Sequence, residues 1–139
     1  MKEEINVSWI NELAFETELS GHKIILDAEE DVGGKDRGPR PKPLMMVSLA
    51  GCTGMDVISI LKKMKVDIKK FNVKIEAMVT EEHPKHYSRM HIIYEFWGND
   101  LPMEKLEKAV VLSQERYCGV SYLYRKVIDL TYEIKMYNE

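Results

Sequence analysis

Apolar and polar residues alternate over residues 5–9, the signature of a half-buried strand. Residues 14–19 and 23–28 carry two more such runs, with turns at Asn11-Glu12 and Ser20-Gly21. The N-terminal region therefore reads as a three-stranded meander. Residues 29–43 have no apolar period and are rich in Gly, Pro and charge, which predicts a surface loop. Pro41 and Pro43 suit the first turn of a helix, where a missing N–H costs little, and the apolar run behind them predicts a helix reaching Met64. Phe71, Val73, Ile75, Ala77 and Val79 occupy every second position of residues 68–80, and Met90, Ile92, Tyr94 and Phe96 do the same in residues 87–97. These predict a strand hairpin with its turn at residues 81–86. After Pro102, Leu106, Ala109, Val110, Ser113 and Tyr117 recur at helical spacing, so a second helix is expected, broken by Gly119 just after Cys118. One more helical turn is expected at residues 121–126. Ile128, Leu130, Tyr132, Ile134 and Met136 predict a closing strand over residues 127–136. The fold class is α+β: an N-terminal three-stranded meander, a long buried central helix, a strand hairpin, a second helix and a closing strand, in a single domain over residues 1–139.

Composition changes this picture in three places. With 139 residues, 45% of them hydrophobic and 31% charged, the chain suits one soluble domain with a real core. The net charge of -3 carries no basic excess to recommend nucleic acid as a partner. The central run, residues 44–61, is long and apolar enough to raise the question of a membrane span. Asp56 interrupts it and Ser48, Thr53 and Ser59 dilute it, whereas a span needs about 20 clean apolar residues. It is read as a core helix, with no membrane partner. A helix apolar on every face must be covered on every face, and a chain of this size struggles to do so alone, so a homodimer is expected. The N-terminus, Met1-Lys-Glu-Glu-Ile5, has no signal-like apolar region. That places the protein in the cytoplasm, where its two cysteines start out reduced.

Those cysteines carry the candidate chemistry. Cys52 lies in the apolar helix among Ala50, Gly51, Thr53 and Gly54, small residues that leave space for a second thiol; Cys118 lies in Arg116-Tyr-Cys-Gly-Val-Ser121. A lone cysteine in an apolar helix is ordinarily a small packing hydrophobe. Two that can meet make a redox site. His83, His86 and His91 straddle a strand turn with no cysteine at ligand-like spacing, so no metal site is expected from them. No cofactor is implied.

The run Pro41 to Lys63, with Leu44, Leu49, Ala50-Gly-Cys-Thr53, Asp56-Val57 and Ile60-Leu-Lys62, resembles the first cysteine helix of the OsmC/Ohr family, in its OsmC-like branch. Cys118-Gly-Val-Ser121 resembles the second-cysteine motif of that family, in which Pro usually stands at the position of Gly119. The order of elements agrees over essentially the whole chain, with the N-terminal meander matching in pattern only. The resemblance implies a thiol-dependent peroxidase acting on organic hydroperoxides, built as an intertwined homodimer with an OsmC-like fold. Cys52 would be the peroxidatic residue and Cys118 the resolving one. The reductant would be a dithiol, lipoyl-linked in the better understood branches.

One departure matters. Many members carry a carboxylate just after the proline that opens the helix, and it holds an arginine over the reactive sulfur. Here Lys42 and Pro43 follow Pro41, and no Asp or Glu lies between Asp36 and Asp56. The thiolate is the attacking species, and free cysteine, with a pKa of about 8.5, is mostly protonated at neutral pH. The start of the helix is too far from Cys52 for its dipole to help, since that field fades within a turn. A cation is needed, and Arg40, then Arg37, are the nearest in sequence. Met45, Met46, Leu49 and Met55 are apolar neighbours that would favour greasy peroxides. The alternative function is a non-catalytic dimer binding an apolar small molecule beside Cys52.

Overall fold

The computed structural model describes residues 1–138, which form two compact units, Met1–Met45 and Met46–Glu139. In the first unit, β1 (Ser8–Asn11), β2 (Ala14–Leu19) and β3 (His22–Leu26) make an antiparallel sheet in the order β1-β2-β3. Strand β1 starts later than the alternation at residues 5–9 predicts and runs on to Asn11. Glu12, with a positive φ of 50°, makes the turn, and its carbonyl accepts the Trp9 indole N–H at 2.8 Å. The loop after β3 is held by Asp27, a buried carboxylate. It accepts from Arg37 Nε at 2.8 Å and from the backbone N–H groups of Ala28, Lys35 and Arg37. Arg37 beside it, and then these amides, hold the Asp27 carboxyl well below the usual carboxylate range. The loop also passes close to β3: a Cβ at Gly38 would run into the Ile25 carbonyl.

Helix α1 (Leu44–Lys63) leads into the second unit. Its buried residues, Leu49, Thr53, Val57 and Leu61, fall every four positions and form one stripe. Met46 and Ile60 flank that stripe against the core. The other apolar positions are not covered by this chain: Val47 is 63% and Met55 76% exposed. The sequence calls for all-round cover, and a single chain supplies one face of it.

Strands β4 (Lys70–Val79) and β5 (Tyr87–Gly98) pair antiparallel, and β6 (Asp129–Asn138) pairs parallel to β5, in the order β4-β5-β6. A parallel partner needs a crossover. It is supplied by α2 (Met103–Leu112), a π turn (Ser113–Tyr117) and α3 (Gly119–Arg125). The predicted alternation is seen in the sheet: Met90, Ile92, Tyr94 and Phe96 are fully buried, with Leu106, Ala109 and Val110 of α2 in the same core. Phe71 stacks on Phe96 at 4.7 Å between centroids. Gly54 allows α1 to lie close to β4, where an added Cβ would stand 3.4 Å from Val73. The second helix does not run unbroken to Cys118 as its periodicity predicts. The Cys118 N–H bonds to the Ser113 carbonyl at 2.8 Å, five residues back, which inserts the π turn and leaves Tyr117 56% exposed.

Candidate active site

The α1 stripe carries Thr53 inward and leaves its neighbour Cys52 half-buried at the edge of the core. Cys118 stands between the π turn and α3, in extended conformation (φ -80°, ψ 100°), and caps α3 by accepting the Ser121 N–H at 3.4 Å. It is buried. Asp56, one helical turn beyond Cys52, shares its face. The Sγ atoms of Cys52 and Cys118 and a carboxylate oxygen of Asp56 all lie within 4.8 Å of one another. The two cysteines are thus brought together, as unpaired thiols, across most of the second unit's sequence.

Beside them runs a buried chain of polar groups. Ser113 Oγ donates to Asp56 Oδ2 at 3.0 Å. A hydroxyl has one hydrogen, so Thr53, 2.7 Å from Ser113, donates to it, and Tyr94, 2.6 Å from Thr53, donates to Thr53. The Gln114 amide nitrogen donates to Tyr94 at 2.8 Å and to Ser121 at 3.1 Å. The amide oxygen faces Arg125, whose guanidinium donates to it at 3.3 Å and to the Gln114 backbone carbonyl at 2.7 Å. Every hydroxyl in the chain points the same way, from Arg125 towards the Asp56 carboxylate. Bonds aligned in this sense polarise one another. Burial pushes the Tyr94 phenol up to about 12, which keeps it a neutral donor. The sequence gave a hint of this chain only in Ser113, which falls on the apolar face of α2. Tyr94, Gln114 and Arg125 carry no motif.

The electrostatics of Cys52 run against ionisation. Burial pushes the thiol up, as does its hydrogen bond with Cys118, and the Asp56 charge adds to the shift; the Val120 N–H pulls the other way. No lysine or arginine figures among these influences. Both candidate arginines lie in the N-terminal unit and carry carboxylate partners there. Arg37 binds Asp27, Asn11 at 2.6 Å and Glu12 at 3.5 Å. Arg40 binds Glu29 at 2.6 Å and Asp36 at 2.7 Å. Of the histidines, His91 is engaged with Glu133 at 2.6 Å and Thr131 at 2.7 Å, and His86 with the Pro84 carbonyl at 2.7 Å. Leu49 is fully buried in the core, whereas Met55 is exposed. Met55 borders a groove of about 680 Å³ between α1 and β4 that Ala50, Gly51, Gly54, Ile58, Phe71 and Val73 also line.

Residues 33–133 match the model of the OsmC-like protein family. The chain belongs to this family. Protein YhfA of Escherichia coli K12 is 30% identical over 131 residues, covering 94% of this chain and 95% of YhfA. Among solved structures, a hypothetical protein from Aquifex aeolicus superposes with a TM-score of 0.82 at 29% identity, over 99% of this chain and 98% of the other. An organic hydroperoxide resistance protein OsmC from Legionella pneumophila shares the fold with a TM-score of 0.69 at 15% identity, over 97% of each chain. The OsmC-like fold expected from the cysteine motifs is therefore the fold of this chain.

The OsmC-like frame also accounts for the residue after Cys118. Gly119 opens α3, its φ is not positive, and a Cβ added there meets nothing within 4 Å. Proline suits a first helical position, and the extended Cys118 before it is what proline requires. Gly119→Pro should therefore stabilise the protein by about 0.4–1 kcal/mol, chiefly by restricting the unfolded chain. Urea unfolding of the two proteins, compared at equal slope, checks this; a loss of stability would mean that the Gly119 N–H or the φ there is needed.

Proposed function

We propose that this OsmC-like protein is a thiol peroxidase that reduces organic hydroperoxides to alcohols. The observation that carries the reading is the meeting of Cys52 and Cys118, whose sulfurs lie within 4.8 Å in a partly open, largely apolar setting. The Cys52 thiolate attacks the peroxide oxygen, the O–O bond breaks, and the alkoxide leaves as alcohol after taking a proton. Cys52 is left as sulfenic acid. Cys118 condenses with it, releasing water and forming the Cys52–Cys118 disulfide, which protects Cys52 from irreversible oxidation. A dithiol reductant, lipoyl-linked in keeping with the family resemblance, then restores both thiols. The half-buried position of Cys52 suits this order, because the attacking sulfur must be reached and the resolving one need not be. Assembly as a homodimer belongs to the same reading. The exposed apolar face of α1, with Val47 and Met55, supports it, and sedimentation at micromolar concentration tests it.

Brief exposure to cumene hydroperoxide should consume one pair of thiols per chain. Because burial and Cys118 raise the Cys52 pKa, the thiolate fraction is small at neutral pH. The peroxide step should then accelerate about tenfold per pH unit until the pH reaches that pKa, and level off above it. Arg40 remains the cation assigned to lower that pKa, with Arg37 second. In a Cys118→Ser background, Arg40→Ala should move the inflection of thiolate absorbance further upward. An unmoved inflection removes Arg40 from the mechanism. Retention of both thiols in the parent protein favours the other reading, in which the apolar groove beside α1 takes a small molecule without catalysis.

A further inference from the structure

The donor atoms of Cys52, Cys118 and Asp56 make a compact triangle, and each is held by a neighbour of its own. The Val120 N–H bonds to Cys52, the Ser121 N–H to Cys118 at 3.4 Å, and the Ser113 hydroxyl to Asp56 Oδ2 at 3.0 Å. The last of these is backed by Thr53, Tyr94, Gln114 and Arg125. Second-shell partners of this kind fix the direction of metal ligands, and backbone N–H groups stabilise thiolates. We propose that the reduced protein binds one thiophilic divalent cation, Zn²⁺ in particular, through Cys52 Sγ, Cys118 Sγ and the Asp56 carboxylate, with water in the fourth position.

The geometry fits that ion. Zn–S distances of about 2.3 Å in a tetrahedron set the two sulfurs about 3.8 Å apart, and the donors here lie within 4.8 Å of one another, so small side-chain rotations close the site. Two thiolates and one carboxylate are a soft, anionic set that selects zinc over magnesium or calcium. The Asp56 oxygen not bonded to Ser113 is the one left to ligate. Three protein ligands and an open position make the site a reversible one. Binding releases the two thiol protons, and nothing is oxidised or reduced. While the metal is bound, both sulfurs are occupied; when they form a disulfide, the site no longer exists. Zinc occupancy and the dithiol state are therefore linked. The site rests on the dithiol–carboxylate triangle and not on peroxide turnover.

The test is zinc titration of the reduced protein against a chromophoric chelator, with protons counted in weakly buffered solution. One zinc per chain and two protons released per zinc are expected. The same chain, oxidised to the disulfide, should take up none, a control that needs no substitution. Ser113→Ala, which removes only the outer partner, should weaken binding roughly 10–100-fold, and Asp56→Asn by at least as much. Failure of the reduced protein to compete for zinc overturns the proposal, as does equal uptake by the oxidised form or unaltered affinity in Asp56→Asn. Peroxide turnover by metal-free protein is scored separately. Turnover without zinc uptake rejects the metal site alone, and zinc uptake without turnover rejects the peroxidase reading alone.

Discussion

Cys52→Ser abolishes turnover of cumene hydroperoxide, and Cys118→Ser completes a single turnover and then stops: these are the largest effects expected in this protein. The asymmetry follows from position. Cys52 is half-buried beside Gly51, where an added Cβ would meet nothing within 4 Å, while Cys118 is buried under its own helix cap. A peroxide reaches the first sulfur more readily than the second. Without Cys118, the sulfenic acid on Cys52 has no internal thiol to condense with and persists. A dimedone-type probe should then label the Cys118→Ser protein in a 1:1 ratio after one equivalent of peroxide, and should not label Cys52→Ser. Equal loss of the first turnover in both variants would reverse or dissolve the assignment of roles.

Thr53→Val is expected to be the costliest conservative change away from the thiols. Thr53 Oγ1 lies 2.6 Å from Tyr94, 2.7 Å from Ser113 and 3.3 Å from Gln114, all in a fully buried setting. Among the described residues no buried side-chain N or O is without a partner, so nothing stands ready to replace the hydroxyl. Valine has the same shape and leaves the Tyr94 hydroxyl without its acceptor and Ser113 without its donor. Each stranded group costs on the order of 1–3 kcal/mol, comparable to emptying part of the core. Tyr94→Phe on the same background should recover part of that loss, because it removes the orphaned hydroxyl. The recovery, read by urea unfolding of the single and double variants, is what a simple packing defect at Thr53 would not show.

The sheet-forming parts of the fold were legible because their residues obey a period of two. Phe71 to Val79 and Met90 to Phe96 alternate cleanly, and the structure pairs them over the length of β4 and β5. Cys52 and Cys118 were legible as a pair through their motifs. The parallel placement of β6 was not, since a period of two says which face is buried and nothing about the neighbour. The polar chain was hidden for another reason. Tyr94 reads as one more apolar position of β5 and Gln114 as a solvated residue of a helix; only the tertiary meeting of α1, β5 and the π turn gives them partners. Arg40 marks a different boundary. Its nearness to Pro41 in sequence suggested a role at the sulfur, but sequence distance carries no information about the acids Glu29 and Asp36 that the loop folds onto it.

The π turn at Ser113–Tyr117 has a consequence for how this chain can change in length. It holds one residue more than an ordinary helical turn would. Deleting a single residue there would let the segment close as plain α-helix, and everything after it would swing by about 100° around the helix axis. Cys118 would leave the face it shares with Cys52, with every side chain of the site still encoded. A one-residue deletion series across positions 113–117 should therefore lose the ability to form the internal disulfide, whereas deletions of the same size in the exposed turn at residues 81–86 should keep it. In this fold, a thiol pair can be silenced by a single missing codon as completely as by replacing a cysteine.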